Sequence, residues 1–283
     1  MTSSAPSSAP SSAIGAFRAL HASGCFVLPN PWDVGSARYL AHAGFRALAT
    51  SSAGFAFSRG RPDDVDAVSL DTVLAHIRDI VAATELPVNA DFQNGYADEP
   101  AGVAANVTRC IATGVAGLSI EDSTGVSDAP IYERALAIER IRAARAAIDA
   151  SGSGAVLTAR CEAYLVRHPD AARLVPDRLA AYADAGADCL YAPALPDRDT
   201  VAAIVRLVAP KPVNVLVAAP IPGFSVPELA ALGVRRISVG SGLARVAWGA
   251  VARAVTELAA HGSFGGFAHA MPFADLDAVF RRA

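Results

Sequence analysis

From residue 26 onward, short apolar runs rich in Val, Ile and Leu alternate with longer segments in which apolar residues recur every three to four positions. This alternation of strand-like and helix-like periods predicts a parallel sheet wrapped by helices. Eight such units can be drawn, with strands at Phe26–Pro29, Ala47–Ser51, Pro87–Asp91, Gly117–Glu121, Ala155–Arg160, Cys189–Ala192, Val213–Val217 and Arg236–Gly240. Each is nearly apolar throughout, as expected of a strand covered on both faces. Helix signals fall between them: Asp33 precedes a helix running to His42, and Ser69 precedes Leu70 to Ala83. Gly44, Gly114, Gly186 and Gly233 each stand just ahead of a strand, where glycine can take the left-handed conformation that ends a helix.

Eight right-handed βα units closing on themselves, an α/β fold of the (β/α)8 TIM barrel type, are the economical arrangement; a doubly wound open sheet is the alternative. The pattern runs without interruption, so residues 16–261 read as one barrel domain. Residues 1–15, dominated by Ser, Ala and Pro, read as a flexible tail. After the eighth strand come a helix over Leu243–His261, a Gly-rich hinge at Gly262–Gly266 and a short helix near Phe273–Arg282. Residues 262–283, with Phe264, Phe267, Phe273 and Phe280, therefore read as a hinge and helix packing on the barrel or on a partner subunit.

Composition narrows the function. The 283 residues are 53% hydrophobic and 18% charged, enough to bury a large core. A net charge of −3, with no basic run longer than Arg235-Arg236 or Arg281-Arg282, gives no attraction to nucleic acid or anionic lipid. Cys25, Cys110, Cys161 and Cys189 are widely spaced without a CxxC pair, which fits a reduced cytoplasm rather than a disulfide framework. The opening MTSSAPSSAPSSA lacks the basic and apolar regions of a secretory signal, and no membrane span is predicted.

In a barrel the chemistry gathers where strands end. Strand three ends at Asp91 and strand four at Glu121-Asp122, so neighbouring strands bring carboxylates together. Hard oxygen donors without imidazole or thiolate suit Mg²⁺, or Mn²⁺ in its place. A helix cap or an ion pair with an arginine is the alternative use of such acids. Asp122, one residue past Glu121, falls on the opposite face by alternation and is assigned to structure. Arg160, ending strand five, suits a carboxylate anchor or a salt bridge to Glu162 or Glu121. Ser51-Ser52-Ala53-Gly54 ends strand two with small residues whose amides can approach an anion, though by itself the segment reads equally as an ordinary Gly/Ser loop. A Schiff-base aldolase needs a lysine at a strand's C-terminal end, and the sole lysine, Lys211, precedes strand seven. The six histidines are scattered, which does not suit a zinc site, and no GxSxG elbow occurs.

Four motifs in order, spread over about residues 26–255, resemble the isocitrate lyase/phosphoenolpyruvate mutase superfamily. They are Ser51-Ser52 with Gly60-Arg-Pro-Asp63, Pro87-Val-Asn-Ala-Asp91-Phe-Gln93-Asn-Gly-Tyr96, Ile120-Glu121-Asp122, and Ala159-Arg160-Cys-Glu162-Ala163. The resemblance implies Asp91 as a direct Mg²⁺ ligand, with Glu121 and Gln93 holding metal-bound water. It implies that the Ser51, Ser52 and Ala53 amides and Arg160 grip a substrate carboxylate, that Asp63 lies near the reacting end, and that an enolpyruvate-type intermediate forms. Asn214, two residues before the family's usual strand-seven Asn, is a candidate substrate contact. The resemblance also implies a homo-oligomer, a dimer of dimers that exchanges its last barrel helix.

This chain departs from the family at Gln93, where a second Asp is usual, so metal affinity is expected to be lower. The loop after strand four, Ser123–Tyr132, has neither the Lys-x-Cys-Gly-His of the isocitrate and methylisocitrate lyases nor the Lys-Thr-Asn-Ser of the phosphonomutases. The expected activity is a Mg²⁺-dependent lyase or decarboxylase acting on a small anionic 2-oxo or 2-hydroxy carboxylate. Phosphonomutase or phosphonopyruvate hydrolase chemistry, and a non-catalytic metabolite-binding barrel, are the competing expectations.

Overall fold

The computed structural model describes residues 12–65 and 67–281. Eight strands are present: β1 (Phe26–Leu28), β2 (Leu48–Ala49), β3 (Val88–Asp91), β4 (Gly117–Glu121), β5 (Val156–Arg160), β6 (Cys189–Tyr191), β7 (Val213–Leu216) and β8 (Arg236–Ser238). Eleven α-helices accompany them among the described residues: α1 (Ala13–Ala22), α2 (Val34–His42), α3 (Ser52–Ser58), α4 (Leu70–Ala82), α5 (Pro100–Ile111), α6 (Arg134–Ser151), α7 (Ala171–Asp184), α8 (Arg198–Leu207), α9 (Val226–Ala231), α10 (Gly242–His261) and α11 (Phe273–Arg281).

All ladders are parallel, in the order β1-β8-β7-β6-β5-β4-β3-β2. At the seam, Ala49 N–H donates to Pro29 O at 3.0 Å, joining the start of the sheet to its end. This is the (β/α)8 barrel expected from the alternating pattern, and every predicted strand lies within one residue or two of an observed one. The four glycine stops hold as well: Gly44, Gly114, Gly186 and Gly233 all have φ between 86° and 102°, conformations an L side chain resists.

Three expectations need correction. Residues 12–15, read as the end of the flexible tail, belong to a helix start: Ser12 Oγ accepts from Gly15 N, and α1 begins at Ala13. The remainder of that tail, residues 1–11, lies outside the described residues, as does Arg282 at the end of the final predicted helix. Strand two is shorter than predicted, because Ser51 leaves the ladder to cap α3, its Oγ accepting from Gly54 N. The strands are also not apolar on both faces. The outward faces pack on the helices, those of Leu48 and Val88 in a cluster separate from the main core, but the barrel interior carries Asn89, Ser119, Thr158, Asn214, Arg236 and Ser238, all buried.

Helix α1 closes the N-terminal end of the barrel. Phe17 is fully buried there, and a Cβ on Gly117 would stand 2.9 Å from the Phe17 ring and 2.8 Å from Val156 O, so only glycine lets this plug seat. Arg18 fastens it, donating to Gly154 O and pairing with Asp188. At the other end of the chain, α10 buries a single residue, Ala244, and leaves Val246, Trp248, Val251 and Val255 exposed, while α11 returns to pack on α2. Among the described residues no helix is long and apolar enough to cross a membrane.

Candidate active site

Asp91, Glu121 and Arg160 are the last residues of β3, β4 and β5, and Glu121 pairs directly with Arg160 in the ladder. Inward-facing strand ends therefore deliver the three side chains to one place. The Arg160 guanidinium donates through Nη1 to Asp91 Oδ1 at 2.7 Å and through Nε to Glu162 Oε1 at 2.8 Å, and its Nη2 forms an ion pair with Glu121 Oε2 at 3.1 Å. Its carbon lies 4.8 Å from the centre of the Tyr191 ring, which lines the same mouth from β6. The salt bridges to Glu121 and Glu162 raised by the sequence are thus present.

The mouth holds more negative than positive charge. Asp91, Glu121 and Glu162 pair with Arg160, Asp63 stands within reach of its charge, and Arg245 lines the adjoining cavity. Burial pushes the Glu121 carboxyl well above the usual range; Arg160 offsets part of this, while Glu162, Asp91 and Asp63 add to it. Asp63 is raised to about 6, first by burial and then by Asp91, with a hydrogen bond from Ser52 and the charge of Arg160 acting the other way. For Arg160, burial opposes the charge but Glu121, Glu162 and Asp91 outweigh it and hold the guanidinium above its ordinary value.

A hard divalent cation fits such a sector. The donors are carboxylate oxygens, with the Gln93 amide lining the same cavity, and a cation would relieve the repulsion that raises Glu121 and Asp63. Among the described residues no group of three or more His, Cys, Asp and Glu is placed to hold a metal ion by itself. Mg²⁺ does not require one, since it is held by one or two carboxylates and otherwise by water and substrate oxygens.

Asp91 is fixed from below and from the side. Its amide donates to Thr50 Oγ1 at 2.9 Å, and its Oδ2 accepts from Ser52 N at 2.9 Å. The Ser52 amide, expected to face substrate, is thereby committed to Asp91, and the Ser51 hydroxyl to its helix cap; Ala53 lines the cavity beside them. Gln93 stands just past β3 with a left-handed backbone, φ 43°, and its carbonyl accepts from Glu121 N, tying the two acid-bearing loops together. Asn214 lies a layer below the mouth, fully buried, donating to Ser238 Oγ and accepting from Arg236 Nε.

Asp122 faces outward as strand alternation requires. It accepts from Arg178 Nη1, the Tyr182 hydroxyl and Glu162 N at 3.0, 2.7 and 2.8 Å, so it locks the loop carrying Glu162 to α7. Lys211 sits at the opposite end, donating to Ala187 O. Sequence reasoning missed Tyr191 and Arg236 and treated Glu162 only as a partner. Counting back by twos from the predicted end of strand eight at Gly240 would have placed Arg236 on the inner face, whereas strand six, drawn one residue too long, put Tyr191 on the wrong one.

Two open spaces meet at this mouth. One, of about 930 Å³, lies above Asp63, Gln93, Glu121 and Arg160, between the segment 63–70 and the loop 123–132. The other, of about 290 Å³, runs from Ser52, Asp91 and Arg160 down into the barrel. The loop Ser123–Tyr132 is closed by a bridge between Ser123 and Ile131, and the Tyr132 hydroxyl donates to Asp98 and accepts from Asn94. It touches the other loop, since a Cβ on Gly125 would lie 3.3 Å from Val65.

Residues 17–259 match the phosphoenolpyruvate phosphomutase family. An uncharacterized protein of Mycobacterium tuberculosis H37Rv is 36% identical over 227 residues, covering 80% of this chain and 81% of its own. A Burkholderia cenocepacia J2315 crystal structure, named only provisionally as a lyase/mutase, superposes with a TM-score of 0.90 at 50% identity over 95% of this chain and 96% of that one. The crystal structure of 2,3-dimethylmalate lyase, a member of the PEP mutase/isocitrate lyase superfamily, superposes with a TM-score of 0.83 at 26% identity, covering 96% and 95% of the two chains. With its match running from α1 almost to the end of α10, this chain belongs to the phosphoenolpyruvate phosphomutase family of the PEP mutase/isocitrate lyase superfamily.

Proposed function

We propose that the chain is a Mg²⁺-dependent lyase or decarboxylase that breaks a C–C bond beside the carbonyl or hydroxyl of a small 2-oxo or 2-hydroxy carboxylate. The observation that carries this reading is the crowding of Asp63, Asp91, Glu121 and Glu162 around one arginine at the strand ends of a family barrel. Asp91 and Glu121, with Gln93, are the residues that would hold the cation. When bound, Mg²⁺ supplies electrostatic stabilisation for negative charge developing on the 2-oxo group.

The chain's own residues do the rest. Arg160 orients the substrate carboxylate with a planar fork, and Tyr191 supports the guanidinium face. With oxaloacetate, the bonding pair of C3–C4 passes into the C2 carbonyl as carbon dioxide leaves, giving the enolate of pyruvate. Asp63, at the edge of the cavity, then delivers the proton to C3. The loop Ser123–Tyr132 and segment 63–70 limit water access. Because that loop has no Cys, Lys or His, we assign the chain to neither isocitrate nor methylisocitrate cleavage.

Phosphonomutase or phosphonopyruvate hydrolase chemistry is the second reading, favoured by the family match itself. Incubation of the purified protein and Mg²⁺ with oxaloacetate, phosphonopyruvate, isocitrate and methylisocitrate separates the readings. Pyruvate without phosphate supports the lyase, and phosphate release from phosphonopyruvate supports the alternative. If none turns over and Mg²⁺ binds equally to wild type and Asp91→Ala, a non-catalytic barrel is the remaining account. We also propose a cytoplasmic homo-oligomer in which the exposed apolar face of α10 is covered by a second copy, with helix exchange; a monomer in sedimentation at micromolar concentration would remove that part.

A further inference from the structure

The barrel interior holds a cation without a counter-charge. Arg236, on the inner face of β8, is 2% exposed, and all its partners are neutral. Its Nε donates to Asn214 Oδ1 at 2.9 Å, its Nη2 to Thr158 Oγ1 at 3.0 Å, and its Nη1 lies 3.3 Å from His21 Nε2. Because His21 Nδ1 sits 2.8 Å from Phe17 O, that nitrogen carries the hydrogen and Nε2 is the acceptor. Burial, then the charge of Arg236, lowers the His21 pKa to about 3, so the imidazole is uncharged. Among the described residues no carboxylate pairs with Arg236; Asp188, the acid near His21, is committed to Arg18, Arg145 and the Leu157 amide.

Buried charges are strongly unfavourable unless paired, and a guanidinium has five N–H donors, two more than these partners use. Arg236 lines the 290 Å³ cavity that opens at Asp91 and Arg160. So does Asn89, whose Oδ1 is buried with no hydrogen-bond partner. A charge without a counter-charge and an acceptor without a donor thus line one cavity continuous with the proposed active site. Thr158, bonded to Arg236, sits two residues below Arg160 on the same strand face, a drop of roughly 6–7 Å. That matches the reach of a four- or five-carbon diacid lying with its 2-oxo or 2-hydroxy end at the mouth.

We infer that Arg236 forms a distal anion subsite inside the barrel, which receives the second carboxylate of a diacid substrate, with the Ser238 hydroxyl beside it. This rests on the reading of the mouth as a Mg²⁺ site for a 2-oxo or 2-hydroxy carboxylate, and it makes Arg236 the residue that selects diacids over monoacids.

Calorimetry in saturating Mg²⁺ tests it with three probes: malate; 2-hydroxybutyrate, which carries a methyl in place of the distal carboxylate; and oxalate, which ends before the deep cavity. Wild type should bind malate at least about tenfold more tightly than 2-hydroxybutyrate, a difference of one charge-assisted contact. Arg236→Met should bring that ratio near one and leave oxalate within about threefold, and Arg236→Lys should restore part of the preference. Leu216→Phe, which fills the cavity from the side and keeps Arg236, should abolish the preference in the same way and serves if Arg236→Met does not fold. The subsite is overturned if wild type shows no preference, if the preference survives Arg236→Met or Leu216→Phe, or if Arg236→Met weakens all three probes equally. Failure of oxalate to bind wild type would instead bring down the reading of the mouth, and the subsite with it.

Discussion

The mouth and the interior of this barrel carry opposite charge imbalances about one layer apart. At the mouth three carboxylates pair with Arg160 and Asp63 stands beside them; beneath it Arg236 lies among an amide, a hydroxyl and a neutral imidazole. Either imbalance alone is costly to bury. On the function proposed above, their ionic partners come from outside the chain: a divalent cation above and an anionic limb below. The contrast with Asp122 is instructive, because one residue further along β4 a carboxylate is fully matched by Arg178, Tyr182 and an amide.

The largest expected effect tests the mouth. Asp91→Ala should weaken Mg²⁺-dependent oxalate binding by at least about 100-fold, read by calorimetry, because it removes the ligand at the centre of the acid cluster. Unchanged binding would mean that the acid excess is not a metal site, and the comparison would collapse to an ordinary ion-pair network.

Asp122→Ala sharpens the contrast from the structural side. Removing one partner of a buried pair should cost about 3–5 kcal/mol, seen as a drop of order 10 °C in Tm, with Mg²⁺–oxalate affinity retained in the folded protein. A loss of affinity without a loss of stability would place Asp122 in the site instead.

Acid should act next, through the interior. His21 and His76 are held at about 3 and about 4, both chiefly by burial, below their unfolded value of 6.5. The unfolded chain therefore binds more protons than the native one below pH 6.5, and stability declines as pH falls from 6.5 towards those values. Each histidine contributes a slope of at most about 1.4 kcal/mol per pH unit. Chemical denaturation at pH 7.5 and 5 measures it. His21→Gln should flatten the slope, and a slope unaffected by that change would show that the plug histidine does not report on the interior charge.

The sequence by itself determined the barrel, its eight strands, the helix stops and the acids at the mouth, because strand and helix periods and left-handed glycines are local properties. It placed Asp91, Glu121 and Arg160 at adjacent strand ends, and alternation alone separated Glu121 from Asp122. What it could not determine was how these groups divide among partners. That Ser52 N–H goes to Asp91, that Ser51 caps α3, that α1 plugs the floor and that Arg236 stands unpaired below the mouth all depend on contacts between segments far apart in the chain. Charge balance in a closed barrel is a property of all its inner faces at once, and only the tertiary structure shows which cation has no acid to meet.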